Sequence, residues 1–324
     1  MKRNKPVGYY PGCSGLGTSA EYDQSTRSVC AALQVRLQDV PDWNCCGSTP
    51  AHTIDHALST ALSMRNFAQA GDAGLSEVLT PCPSCLKNLR SALHRMDDPV
   101  IGPKAEKLLG KKAGSGYSVK SVLQILDEDV EPDVVKAQVS APLAGLKVVP
   151  YYGCLMSRPA ELMQFGDQEN PLAMERLLAL AGATVLDFPL KVECCGASMG
   201  IPLNEAVTRL SGKLLDLAAS LGADCIAVAC PLCQMNLDMR QGQINKANGT
   251  RHAIPVLYFT QLLGLAFGLP QSELGLNKLM VDPAPVLAKL SGTSGVASTA
   301  AHDPHKQAGV GKSAPWAGKA GGAI

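Results

Sequence analysis

Short apolar runs alternate with amphipathic stretches along most of the chain, and the same order of elements occurs twice. Val7 to Gly12 predicts a buried strand that delivers Cys13 to the glycine-rich turn Ser14-Gly15-Leu16-Gly17. Behind it, Thr18-x-x-Glu21 has the form of a capping box, and Val29, Ala32, Leu33 and Leu37 predict one apolar helix face. Val40 to Asn44 leads into Cys45-Cys46, followed by a helix from about Thr53 to Ala70 with Leu58, Ala61, Leu62 and Ala68 inward and Gly71 placed to end it. Leu75 to Thr80 predicts a strand running to Pro81-Cys82, with Pro83 opening the next helix. Asp97 to Gly116, rich in Lys, Gly and Pro, predicts surface chain, and Val119, Val122, Leu123 and Leu126 predict one more helix. The acidic Asp127-Glu128-Asp129 and Pro132 mark the approach to a boundary near residue 143.

The second half repeats the plan. Lys147 to Gly153 predicts a strand delivering Cys154, and Tyr151-Tyr152-Gly153-Cys154 echoes Tyr9-Tyr10-Pro11-Gly12-Cys13. Asn170-Pro171 predicts a cap and first turn for a helix with Leu177, Leu178 and Ala181 inward and Gly182 at its end. Thr184 to Phe188 predicts a strand toward Cys194-Cys195. Asn204 caps a helix whose Val207, Leu210, Leu214, Leu217 and Leu221 recur at three and four, stopped by Gly222. Asp224 to Ala229 predicts a strand reaching Cys230, and Pro231 starts another helix. The expected fold is α/β, a duplicated pair of domains with parallel pairing related by pseudo-two-fold symmetry, over residues 1–143 and 144–290. Residues 291–324 collapse to Gly, Ala, Ser, Thr and Lys and predict a disordered tail, with docking through Trp316 as the alternative. His302 and His305 in that tail make a poor rigid metal pair.

Composition narrows the function. A chain of 324 residues with 46% hydrophobic content has room for two cores. A formal net charge of +1 without a basic stripe argues against nucleic acid as a partner. The basic start, Met1 to Lys5, leads into no apolar stretch of signal-peptide length, and no run approaches the ~20 apolar residues of a membrane span. A cytoplasmic location is expected. Thiols stay reduced there, so twelve cysteines argue for metal or redox chemistry over structural disulfides.

Ten of those cysteines form two matching sets. Cys13, Cys45, Cys46, Cys82 and Cys85 are separated by gaps of 31, 35 and 2 residues; Cys154, Cys194, Cys195, Cys230 and Cys233 by 39, 34 and 2. Each set is a lone cysteine, a Cys-Cys-Gly and a Cys-Pro-x-Cys. An insertion between Arg158 and Asn170 can absorb the longer gap in a loop. Five converging thiolates repel one another and need a compensating cation, for which iron–sulfur clusters are the usual answer. Structural zinc takes four ligands and stays as a rival. Neighbouring side chains of an extended backbone point apart, so each vicinal pair needs a turn, which Gly47 and Gly196 can supply with positive φ. Cys82 and Cys230 are expected at helix N-caps, with the positive helix end facing an anionic cluster. A disulfide-forming Cys-x-x-Cys is the remaining reading of that element. Cys30 and Cys225 have no counterparts and are expected to be buried, inert thiols.

With both patterns laid out, the chain resembles the CCG cysteine-rich proteins, and most closely the B subunit of heterodisulfide reductase, over residues 7 to about 270. The resemblance implies two non-cubane [4Fe-4S] clusters, one on each five-cysteine set, and no flavin or nucleotide in this chain. It implies an oxidoreductase subunit that reduces a small-molecule disulfide, or oxidises thiol or sulfane sulfur in reverse, by one-electron steps with the substrate between the clusters. It implies as partners a ferredoxin protein of the C-subunit type and a flavoprotein of the A-subunit type. No substrate-contacting side chain is assigned. Two alternatives stay open: an electron-transfer relay of a quinone-linked dehydrogenase, as other CCG proteins are, and a zinc-stapled interaction scaffold.

Overall fold

The computed structural model describes residues 5–48, 50–112 and 114–293; His302, His305, Trp316 and the rest of the tail from residue 294 lie outside them. The chain builds two four-stranded sheets. The first holds β1 (Val7–Tyr9), β2 (Leu37–Asp39), β3 (Glu77–Thr80) and β4 (Ser118–Ser121) in the order β2-β1-β3-β4. The second holds β5 (Lys147–Tyr151), β6 (Thr184–Val185), β7 (Cys225–Val228) and β8 (Val256–Tyr258) in the order β6-β5-β7-β8. Every pairing is parallel. In such an order the chain leaves β1 to one side and returns on the other, so the carboxyl ends of β1 and β3 flank a crevice, and likewise β5 and β7.

The halves interlock reciprocally. Helix Ala20–Ala32, which follows β1, packs on Phe259–Ala266, which follows β8, while Ala173–Leu180, which follows β5, packs on the Val122–Asp129 segment after β4. This exchange is the pseudo-two-fold relation. Tyr22 and Tyr258 stack across it with ring centroids 4.0 Å apart and planes 5° from parallel, and Phe259 meets Tyr22 edge-on. One hydrophobic core runs continuously from Val7 and Val29 of the first half to Val256 and Leu262 of the second, so the halves form one body rather than hinged domains.

Several local expectations shift. The Thr18–Glu21 box does not form: the chain makes a helical turn at Gly12–Gly15, Ser19 N–H bonds Ser14 C=O at 2.9 Å, and the helix starts at Ala20 without a side-chain cap. Leu37 belongs to β2, because Gln34 turns the chain with φ 58° after the helix ends. Val119 lies in β4, and only then does Ser121 cap a short helix through Gln124. Four residues that alternate faces were hidden within helix-like spacing. Asp97 to Gly116 contains a helix, Ile101–Leu109, packed on His56–Asp72. That longer helix is capped by Asp55, which accepts from Ala57 and Leu58 N–H, and leaves Leu58 exposed. Asn170-Pro171 stands before the helix rather than capping it, with Pro171 C=O taken by Lys191 Nζ at 2.8 Å. Along Asn204–Ser220 the buried face is Val207, Ser211, Leu214, Leu215 and Ala218, leaving Leu221 outside. Small Ser211 and Gly212 let this helix approach its neighbours, which rotates the stripe.

The inserted residues 158–170 are more than a loop. Ala160–Met163 is a helical turn, and Arg90 of helix Pro83–Arg95 spans the two halves there, donating to Val119 C=O at 2.8 Å, Leu162 C=O at 3.1 Å and Met163 C=O. Gln124 Nε2 adds a bond to Gln164 C=O at 3.1 Å.

Since Tyr22 is 1% exposed, Tyr22→Ala should cost about 3–5 kcal/mol in equilibrium urea unfolding. Tyr22→Phe, which loses only the 3.4 Å bond to Ala229 C=O, should stay within about 1.5 kcal/mol of wild type.

Candidate metal centres

All ten cysteines of the two sets gather at the carboxyl ends of the strands, at the crevices the strand order creates. Cys13 follows β1 and Cys82 follows β3; Cys154 follows β5 and Cys230 follows β7. The vicinal pairs arrive on the loops after β2 and β6. Cys82 and Cys230 occupy the N-cap positions of Pro83–Arg95 and Pro231–Leu237, each with proline in the first turn. The free N–H groups of both helices therefore face their sulfur set.

Within the first set Cys46 and Cys85 sulfurs are 3.4 Å apart, Cys45 is hydrogen-bonded to Cys46, and Cys82 to Cys85. In the second, Cys195 and Cys233 are 3.7 Å apart, Cys154 is hydrogen-bonded to Cys194, and Cys230 to Cys233. The turns at the pairs are left-handed glycines, φ 77° at Gly47 and 97° at Gly196, whose N–H groups point back at Cys45 Sγ (3.5 Å) and Cys194 Sγ (3.3 Å).

Sharing of protons leaves the thiols unequal. Donation from Cys45 and Cys85 lowers Cys46, and donation from Cys154 lowers Cys194 to about 6. Donation from Cys233 lowers Cys195 to about 7. Their partners Cys85 and Cys233 are pushed up as donors in a buried place. A second layer holds the pairs. Tyr10 Oη donates to Asn44 C=O at 2.9 Å and Tyr151 Oη to Glu193 C=O at 2.7 Å, in each case the carbonyl before the vicinal pair. Ser63 Oγ donates to Cys46 C=O at 2.9 Å and Ser211 Oγ to Cys195 C=O at 2.8 Å. Asn88 and Asn236 sit three residues after the last cysteine of each set, one helical turn along the same face. Their signal in the sequence is the repeat Cys-Pro-x-Cys-x-x-Asn, which the cysteine pattern alone passes over.

The five cysteines of the first set line a cavity of about 320 Å³, together with Ser14, Thr18, Ser48 and Ser84 of their own half and Pro231, Leu232 and Met235 of the other. Among the described residues no group of three or more Cys, His, Asp or Glu side chains is arranged to close on a metal ion. The set surrounds space instead. Burial raises the Tyr22 phenol, and the thiols of Cys230 and Cys82, one from each set, raise it further. Cys30 and Cys225 stand apart in the core, where burial pushes Cys30 up to about 12 and raises Cys225 as well.

A family model for the cysteine-rich CCG domain matches residues 7–90 and again 148–238. The chain belongs to that family, in the group of heterodisulfide reductase B subunits. It is 30% identical over 289 residues to the B subunit of the ferredoxin/F(420)H(2)-dependent CoB-CoM heterodisulfide reductase of Methanosarcina acetivorans, covering 87% of this chain and 95% of that one. It is 33% identical over 283 residues to the 8-methylmenaquinol:fumarate reductase membrane anchor subunit of Wolinella succinogenes, covering 86% and 98%. A crystal structure of a hypothetical protein from Helicobacter pylori shares the fold, with TM-score 0.64 at 13% identity; the match covers 86% of this chain and 52% of that one. No helix among the described residues is long and apolar enough to cross a membrane.

The two turns differ in tolerance. A Cβ on Gly196 would lie 2.8 Å from Val207 Cγ2 and 2.9 Å from its Cα, whereas one on Gly47 would meet Leu62 Cδ1 at 3.1 Å and Ala51 Cβ at 3.2 Å. Gly196→Ala should cost about 1–3 kcal/mol and Gly47→Ala less, read as thermal midpoints of the two variants side by side.

Proposed function

We propose that each five-cysteine set holds an iron–sulfur cluster, the first on Cys13, Cys45, Cys46, Cys82 and Cys85 and the second on Cys154, Cys194, Cys195, Cys230 and Cys233. The chain then acts as the sulfur-converting redox subunit of a heterodisulfide-reductase-like complex. The observation that carries this reading is the paired arrangement itself: two complete sets at equivalent strand ends, with the first set's cavity roofed by the second set's helix. The donors fit the group. Five sulfurs around open space exceed what one tetrahedral zinc uses, and the helix ends, glycine N–H groups and partly buried setting suit an anionic cluster. Cluster type, non-cubane [4Fe-4S], follows from the family resemblance.

Bound clusters would supply single-electron steps and iron able to take a sulfur ligand. The chain's own part is positional. Its cavity, walled on one side by Leu232 and Met235, offers apolar contacts to a disulfide, and Ser48 and Ser84, 3.2 Å apart, offer polar contacts at its edge. Electrons would come through partners, a ferredoxin protein of the C-subunit type fed by a flavoprotein of the A-subunit type. Exposed Leu16 and Ile54 near the first set, and Met199, Ile201 and Leu203 near the second, suit surfaces covered in such a complex.

A second reading is an electron relay without sulfur chemistry, favoured by the 33% identity to a subunit named for fumarate reduction. Two four-iron clusters require about eight iron and eight sulfide per chain in anaerobically purified protein; stoichiometric zinc without sulfide would remove both readings. Cys46→Ser should then erase one cluster's spectrum and leave the other. Freeze-quench EPR with disulfides decides between the two roles: a new paramagnetic signal with thiol bound supports sulfur conversion, and silence toward every disulfide supports the relay.

A further inference from the structure

The two vicinal pairs differ at the residue after the glycine, Cys46-Gly47-Ser48 against Cys195-Gly196-Ala197. In the first half hydrogen bonding from the Ser48 backbone and hydroxyl adds to that from Cys45 and Cys85 in lowering the Cys46 thiol, and Ser48 Oγ also lies 3.2 Å from Ser84 Oγ. In the second, the Ala197 backbone donates to Cys195 in the same way, but alanine has no hydroxyl. The side-chain donor comes from elsewhere: Asn236 Nδ2 lies 3.4 Å from Cys195 Sγ and 2.9 Å from Ala197 C=O.

Those two acceptors fix the amide's orientation, since the flipped amide would aim its oxygen at a sulfur and a carbonyl. Asn236 is 0% exposed, and its Oδ1 is buried without a hydrogen-bond partner. Such an orphaned oxygen is unfavourable, and the fold accepts it while keeping the N–H groups where they are. Its counterpart Asn88 is used differently. Asn88 Nδ2 donates to Cys46 C=O, to Ser59 Oγ at 3.2 Å and to Ser63 Oγ at 3.1 Å, and Oδ1 accepts from Ser59 at 3.3 Å. That amide is spent on backbone and hydroxyls. The Cys46 carbonyl takes both Ser63 and Asn88, whereas the Cys195 carbonyl takes Ser211 and Asn236 turns to the sulfur instead.

We propose that Asn236 is a positioning residue that supplies the second site with the sulfur hydrogen bond Ser48 supplies to the first, so that each cluster's reduction potential is set by a different side chain. The inference rests on the cluster reading above. A donor aimed at a ligand sulfur stabilises the charge added on reduction and raises the potential; removing it lowers the potential of that site alone.

The test is a potentiometric titration followed by EPR on the full chain, purified anaerobically, with iron and sulfide measured in every sample. Asn236→Ala should lower the midpoint of one signal and leave the other in place, and Ser48→Ala should do the converse. Adding Ala197→Ser to Asn236→Ala places a hydroxyl where the first half has one and should bring the midpoint back toward wild type. Unmoved midpoints in fully loaded Asn236→Ala, a shift of both signals together, or loss of the second cluster or its midpoint that Ala197→Ser does not restore would each overturn the proposal. Wild-type protein without iron and sulfide would instead sink the cluster reading beneath it.

Discussion

Mutual repulsion of buried thiolates is the constraint to which the rest of the architecture answers. Cys46, Cys82 and Cys85 in the first set, and Cys195, Cys230 and Cys233 in the second, are buried close together and cannot all ionise in a low-dielectric interior. The chain meets this by sharing protons among them, by turning glycine N–H groups and two helix ends toward them, and by tying the surrounding backbone with Tyr10, Tyr151, Ser63 and Ser211. None of these devices removes the repulsion. They hold the sulfurs together at the strand ends, and that arrangement separates the two sets from ordinary core cysteines such as Cys30.

Most of this was legible because it was written twice. Proline after Cys82 and Cys230 foretold the N-caps, and the glycines after each vicinal pair foretold left-handed turns, since chemistry at those positions leaves few conformations. What stayed hidden was short or tertiary. β4 and β8 are four and three residues long, too brief for alternation to show, and they exist because a neighbouring strand offers a ladder. The Thr18 box failed because a nearer turn claimed the same backbone. Asn88 and Asn236 were visible as a repeat, yet only their surroundings show that one serves a carbonyl and hydroxyls and the other a carbonyl and a sulfur.

The symmetry is close in backbone and looser in side chains. The first Cys-Pro-x-Cys helix carries Ser84 and Lys87 where the second carries Leu232 and Met235, and a cavity of about 190 Å³ beside the first set is lined by His52, Lys87 and Arg95. Duplication supplied two equal frames; the faces they present are not equal.

The roof of the first cavity has a consequence for how such a chain can change. Pro231, Leu232 and Met235 close a space whose sulfurs belong to residues 13–85, so a gene for the first half alone would encode an open site. Once the second copy came to wall the first copy's site, it could not be deleted, exchanged or remodelled without opening that site.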